Sequence, residues 1–200
     1  MVGGRQREFD KQEALEQAMR VFWNKGYVGS SLMDLTTSMG INKPSMYAAF
    51  GNKEALFIQA TQNYIDHYAS IHAQLLQATD LSIKQRLSAY LLSVVKSQSG
   101  MNGPKGCLIT SCIAEAAGED MPESATKKVN EIKNLGEKIL TDFFNQAENT
   151  ALFKHQQSSQ QLAQYFITVL HGTAAMSRAG KTLAELTVMI ELSLTVLDQE

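Results

Sequence analysis

Apolar residues recur three and four positions apart along almost the whole chain, and that spacing restricts it to an all-α fold. Leu15, Ala18, Met19 and Phe22 draw one stripe down a helix over residues 10 to 25, which Gly26 stops. Leu32, Leu35 and Met39 mark a shorter helix, opened by Ser31 as a cap with Asp34 three residues on and closed by Gly40. Only Gly40 and Ile41 separate it from a third helix. That helix has Asn42 as its cap and Pro44 in the first turn, where a missing N–H does little harm, and it turns Met46, Ala49 and Phe50 inward. Phe57, Ala60, Tyr64, Tyr68, Ile71 and Leu75 line one side of a long fourth helix from about residue 53 to 78. Further starts are signalled by Ser82 with Gln85, Asp120 with Glu123 around Pro122, and Thr182 with Glu185. Breaks at 99 to 104, 118 to 122 and Gly180 bring the total to about nine helices. No segment joins alternating apolar residues to β-branched enrichment and hairpin turns, so no strand is expected.

Composition narrows the class. With 200 residues, 44% of them apolar, the chain can bury a core of its own, in one or two small domains. No apolar run approaches the ~18 to 20 residues that cross a bilayer, so a cytoplasmic protein without a membrane partner is expected. Cys107 and Cys112 point in different directions on one helix, and reduced thiols are the reading that suits a reducing compartment. Residues 1 to 53 carry seven Lys or Arg against five Asp or Glu, whereas the rest carries eleven against fifteen: a mildly basic front precedes an acidic body. No Ser-His-Asp set, carboxylate pair or phosphate-cradling glycine loop emerges, so an enzyme is not expected. His67, His72, His155 and His171 have no partner at ligand spacing, which predicts no metal and no cofactor.

A short helix, a tight glycine turn and a second short helix is the layout in which the second helix enters a major groove of double-stranded DNA while the first braces on the backbone. Many helical hairpins with this spacing bind nothing. The residue types on the third helix add to it: the inward set leaves Lys43, Ser45 and Tyr47 outward, all of them hydrogen-bond donors. Lys43 can reach phosphate or a guanine edge, Ser45 either, and the Tyr47 hydroxyl can donate to phosphate. Ser31, with the free N–H groups of the second helix, offers an anion site, and Lys53 adds a cation at the start of the fourth.

Residues 20 to 57, RVFWNKGYVGSSLMDLTTSMGINKPSMYAAFGNKEALF, resemble the DNA-binding domain of the TetR/AcrR family of transcriptional regulators. The resemblance rests on Phe22 with Gly26-Tyr27, Ser31-Leu32, Met39-Gly40-Ile41, Tyr47 with Phe50, and Lys53-Glu54-Ala55-Leu56-Phe57. It implies an all-helical homodimer, most often a repressor that a small molecule releases from a near-palindromic operator. It also implies Lys43, Pro44, Ser45 and Tyr47 as recognition-helix contacts, with Thr36 and Asn42 beside them and Ser31 and Lys53 on phosphates. Many members carry His or Tyr just before the residue matching Phe50; here Ala49 stands there, and a phosphate contact from that position is lost. Arg5 and Arg7, in a basic arm over residues 1 to 9, either track the DNA in its place or belong to an ordinary loose terminus. The expected division is an arm, a helix-turn-helix domain over 10 to 57, and an effector-binding and dimerisation domain over 58 to 200.

Behind residue 58 the signals are local. The segment GPKGCLITSCIAEA, residues 103 to 116, resembles a sub-group of the same family with Gly-Cys-Leu at the entry to its sixth helix. Cys107 in a first helical turn near Lys105 reads either as a reactive thiol open to an electrophile or oxidant, or as a small thiol packed beside a ligand cavity. Glu115, between Ala114 and Ala116, reads as a group reaching that cavity or pairing with a basic neighbour. Near the end, Gly172, Ala174, Ala175 and Ser177 permit close helix approach, while Leu183, Leu186, Ile190, Leu194 and Leu197 form an apolar stripe. This helical hairpin either closes the monomer or, as the resemblance implies, meets its copy in a four-helix dimer interface.

Overall fold

A computed structural model describes residues 9–101, 103–146 and 157–198, and among them every regular element is helical. The basic arm with Arg5 and Arg7 lies outside the described residues. α1 (Lys11–Lys25), α2 (Leu32–Met39) and α3 (Lys43–Phe50) form the head. α4 (Lys53–Tyr64) leads out of it, and α5 (Ile83–Gln98), α6 (Leu108–Ala116), α7 (Glu123–Asn145), α8 (Ser159–Arg178) and α9 (Leu183–Leu194) build the body. The expected count and class of helices hold among the described residues.

Most boundaries are written in cap chemistry. Asp10 accepts the Gln12 and Glu13 amides at the head of α1, and reciprocal capping boxes join Ser31 to Asp34, Ser82 to Gln85 and Thr182 to Glu185. Each satisfies orphan first-turn donors, at about 0.5–2 kcal/mol per cap. Ser158 with Gln161 makes a fourth box, starting α8, that sequence reading passed over. The pairing expected between Asp120 and Glu123 is not made: Pro122 occupies the cap position, Glu123 is already the first helical residue, and no side chain caps α7.

α4 departs from its pattern. After Tyr64 the chain widens into one π turn, Ile65–Ala69, then closes through an α turn, Ser70–Ala73, and a 3-10 turn, Gln74–Gln77. A π turn spends an extra residue, so every later side chain moves one position round the axis. Ile71, expected inward, is 52% exposed, while His72 at 7% and Leu76 at 4% take the places read for Ile71 and Leu75.

The core does not divide at residue 57. One cluster gathers Met19, Phe22 and Trp23 of α1, Leu35 and Met39 of α2, Met46 and Phe50 of α3 and Phe57 of α4, and it continues into Leu108, Ile109 and Cys112 of α6 and Ala125, Val129 and Ile132 of α7. A second cluster joins Leu76, α5, the far end of α7 and α8 to Leu186, Ile190 and Leu194 of α9. The C-terminal leucine stripe therefore closes the body. A different face of the same hairpin stays open, with Tyr165, Met176, Val188, Met189 and Leu192 exposed around Gly172.

Candidate nucleic-acid interface and effector cavity

α3 is a short helix held by two anchors. Met46 and Phe50 are buried, which fixes its rotation, and Asn42 caps it by accepting the Ser45 amide at 2.8 Å. The opposite face then carries Lys43, Pro44, Tyr47 and Ala48 into solvent, with Ser45 half-buried. Tyr47 is 47% exposed, and among the described residues neither its hydroxyl nor the Lys43 ammonium makes a hydrogen bond or ion pair. Lys53, first residue of α4 behind an Asn52 cap, rests its ammonium 4.3 Å over the Tyr27 ring, a cation–π contact that keeps it beside the head. Ala49 packs half-buried against the head core.

Two expected contacts are already engaged. The Thr36 side chain turns back along α2, its hydroxyl donating to the Leu32 carbonyl at 2.8 Å, and the residue is nearly buried. It presents no free donor, as a threonine inside a helix commonly does not. At the start of α2 the Ser31 amide and hydroxyl both donate to the Asp34 carboxylate, at 2.9 and 2.7 Å. The Lys25 ammonium 2.5 Å from Asp34, and then Ser31, hold that carboxyl well below the usual carboxylate range. The anion site read at this helix end thus already holds an anion of the chain's own.

Between α4, α5, α6, α7 and α8 lies a cavity of about 240 Å³. The π turn of α4 forms one wall, with Tyr64, Tyr90, Gln98, Cys107, Thr110 and His171 among the residues around it. Cys107 sits one residue outside the first turn read for it, as the extended cap of α6, and the Tyr64 hydroxyl lies 3.4 Å from its sulfur as a donor. No hydrogen bond or ion pair joins Lys105 to that sulfur among the described residues. Cys112 is buried, and burial, then Glu115, pushes its thiol up to about 12. Thr110 Oγ1, on the cavity wall, is the buried side-chain polar atom left without a partner among the described residues.

Glu115 lies outside the cavity wall, and its charge acts on Lys53 without forming an ion pair among the described residues. Its carboxylate takes the Tyr27 amide at 2.7 Å and the Val28 amide at 3.3 Å, in the turn between α1 and α2. Gly26 has φ +74°, which favours glycine, and a Cβ there would lie 2.2 Å from the same carboxylate, so a larger residue would push the end of the Glu115 side chain aside. Sequence reasoning also missed Arg178, whose guanidinium donates to the Trp23 carbonyl at 2.9 Å and the Asn24 carbonyl at 2.7 Å. A glycine before a turn is a visible signal, but nothing in it names a partner 88 residues away.

His72 adds a pH signature. It is buried beside the cavity with Nδ1 2.7 Å from Ser93 Oγ, and burial lowers its pKa; burial, then Lys133, lowers that of His171. A histidine depressed in the folded state contributes stability that is intact above its unfolded value of about 6.5 and is lost as pH falls through the lower folded value. The melting temperature is expected to fall between pH 7 and pH 5, and His72→Gln to flatten that fall; an unchanged slope contradicts the assignment.

The model of the bacterial regulatory proteins of the tetR family matches residues 14–60, the head and the start of α4. The repressor ComR of Escherichia coli K12 is 29% identical over 187 residues, covering 92% of this chain and 86% of that protein. BdcR, a repressor of the same organism, is 28% identical with 92% and 87% covered. A cysteine-substituted form of the TetR-family regulator CifR, solved with 26-bp operator DNA, superposes with a TM-score of 0.86 at 28% identity, covering 96% of this chain and 98% of that one. The chain carries the DNA-binding domain of the TetR family. Reduced NemR of E. coli shares the fold at a TM-score of 0.76 and 18% identity. Within that domain the helix-turn-helix falls in α2 and α3, where the sequence placed it. No helix among the described residues is long and apolar enough to cross a membrane.

Proposed function

We propose that the chain is a transcriptional repressor that binds a near-palindromic operator as a homodimer and is released when a small molecule fills the cavity behind α4. One observation carries the DNA reading: α3 is anchored by Met46 and Phe50 and offers Lys43, Pro44 and Tyr47 to solvent, on a fold shared nearly end to end with operator-bound CifR. In a dimer two such helices enter successive major grooves ~34–36 Å apart. Lys53 and the residues of the arm, Arg5 and Arg7, are assigned to phosphates. Ser31, Thr36 and Asn42 support α2 and α3 through their caps and back-bonds.

The open face of α8 and α9 supports the dimer. Tyr165, Met176, Val188, Met189 and Leu192 form an apolar patch around a groove floored by Gly172, and such a patch is a contact surface. Two copies of the hairpin related by a two-fold make a four-helix interface.

The cavity is mostly apolar and suits a small effector, with Thr110 Oγ1 and the Cys107 sulfur as polar points on its wall. Cys107 is also where an electrophile or oxidant acts in this reading, since its sulfur lies on the cavity wall, 3.4 Å from the Tyr64 hydroxyl. Duplexes selected from a random pool test the whole. Binding should weaken with salt at a log–log slope of ~0.9 per phosphate contact, and salt-independent binding contradicts the phosphate assignment. Screening the parent and Cys107→Ser side by side for release from the selected duplex separates the two effector classes. A variant that answers every oxidant that releases the parent removes the thiol from the mechanism.

A further inference from the structure

The head meets the body at the turn between α1 and α2, and both polar ends of that turn are held by charged side chains of the body. Arg178, the last residue of α8, donates to the carbonyls of Trp23 and Asn24, where α1 ends and its carbonyls have no helical partner. Glu115 of α6 accepts the amides of Tyr27 and Val28, where the turn has donors to spare. Cation to carbonyls and anion to amides is the one arrangement that satisfies both ends, and charge-assisted bonds of this kind are the stronger sort.

The clasp is wired to the cavity through two residues. Cys107 lines the cavity on one side and, on the other, a cleft shared with Gly26, Glu115 and Arg178. Its neighbour Gly106 accepts the Trp23 indole N–H at 3.3 Å, and a Cβ there would lie 2.7 Å from Arg178 Cγ. Displacement of the segment at Cys107 therefore presses on the Arg178 stem and on Trp23 together. α4, the covalent route from cavity to head, carries its π turn at the cavity wall.

We infer that Arg178 and Glu115 are positioning residues, which hold the head at one angle to the body and pass the filling of the cavity, through Cys107 and Gly106, to the recognition helices. The inference rests on the reading of the cavity as the effector site. Neither residue touches DNA or effector; each acts by fixing the turn that carries α2 and α3.

The test uses the full-length dimer, a duplex selected by the parent, and N-ethylmaleimide as a stand-in for an effector. The Cys107 sulfur adds across the maleimide double bond and its proton passes to the neighbouring carbon, leaving a wedge in the cavity, while buried Cys112 stays unmodified. The quantity read is the ratio of duplex dissociation constants with and without the adduct, which a merely structural loss shared by both states leaves unchanged. The parent should give a ratio of roughly 5 to 150. Arg178→Ala and Glu115→Ala should bring it close to one, with helix content and dimer elution retained. Glu115→Gln, which keeps an acceptor and the side-chain size, should lower it part of the way and serves where the alanine variant fails to fold. A parent that does not bind any selected duplex defeats the functional reading itself. A parent that binds but ignores the adduct overturns the cavity reading and the clasp with it, and variants that keep the full ratio overturn the clasp alone.

Discussion

Gly172→Arg is expected to give a folded, fully helical monomer that has lost most of its operator affinity. A Cβ at Gly172 meets no atom within 4 Å, so the monomer accommodates a side chain there without a clash. Glycine inside α8 also costs helix stability, about 0.8–1.0 kcal/mol against alanine, so the substitution should leave the monomer as stable or slightly more so. The same position floors the groove between Met176 on α8 and Met189 on α9, and an arginine there holds a second hairpin away from the first. Losing the dimer turns one bivalent event into two independent half-site encounters, a loss of roughly 10²–10⁴ in affinity. Sedimentation and duplex titration on the same sample give the answer. A dimeric Gly172→Arg, or a monomer that binds the full operator as tightly as the parent, removes this face from the interface.

Tyr47→Ala should have a comparable effect on DNA with none on assembly. The side chain lies outside the core and makes no hydrogen bond among the described residues, so its removal leaves α3 anchored on Met46 and Phe50. Contacts of this kind are worth about 1–3 kcal/mol each, and a dimer loses two at once, so affinity should drop by roughly 10²-fold or more. Tyr47→Phe separates the hydroxyl from the ring: a drop as large as that for alanine assigns the contact to the donor. Unchanged affinity in both, measured with the dimer intact, excludes Tyr47 from the interface.

Those expectations follow from parts of the fold that local sequence signals could reach. The capping pairs at Ser31, Ser82 and Thr182 are legible because a cap and its answering acceptor lie three residues apart, and the inward set of α3 because Met46 and Phe50 are four apart. The register beyond Tyr64 is not legible. Tyr68, Ile71 and Leu75 continue a faultless regular stripe, and only packing against α5, where His72 finds Ser93, selects the π turn that moves His72 and Leu76 inward instead. Thr36 shows the limit of carrying a contact over by position: its side chain is in place along the chain, but its hydroxyl is bonded to the Leu32 carbonyl. Glu115 shows the limit of reading charge, because its partners are backbone amides, which leave no trace in residue type.

The apolar cluster that runs unbroken from Phe22 and Trp23 into Leu108, Cys112 and Val129 also sets where this protein can be cut. A head transplanted onto another body at residue 57 would leave one wall of its own core behind, together with the carboxylate that Gly26 makes room for. The smallest portable DNA-reading cassette therefore has two pieces of chain, α1 to α4 and the stretch from Gly106 to about Ile132. Exchanging operator specificity between relatives is better done by grafting the outward residues of α3 than by swapping whole domains.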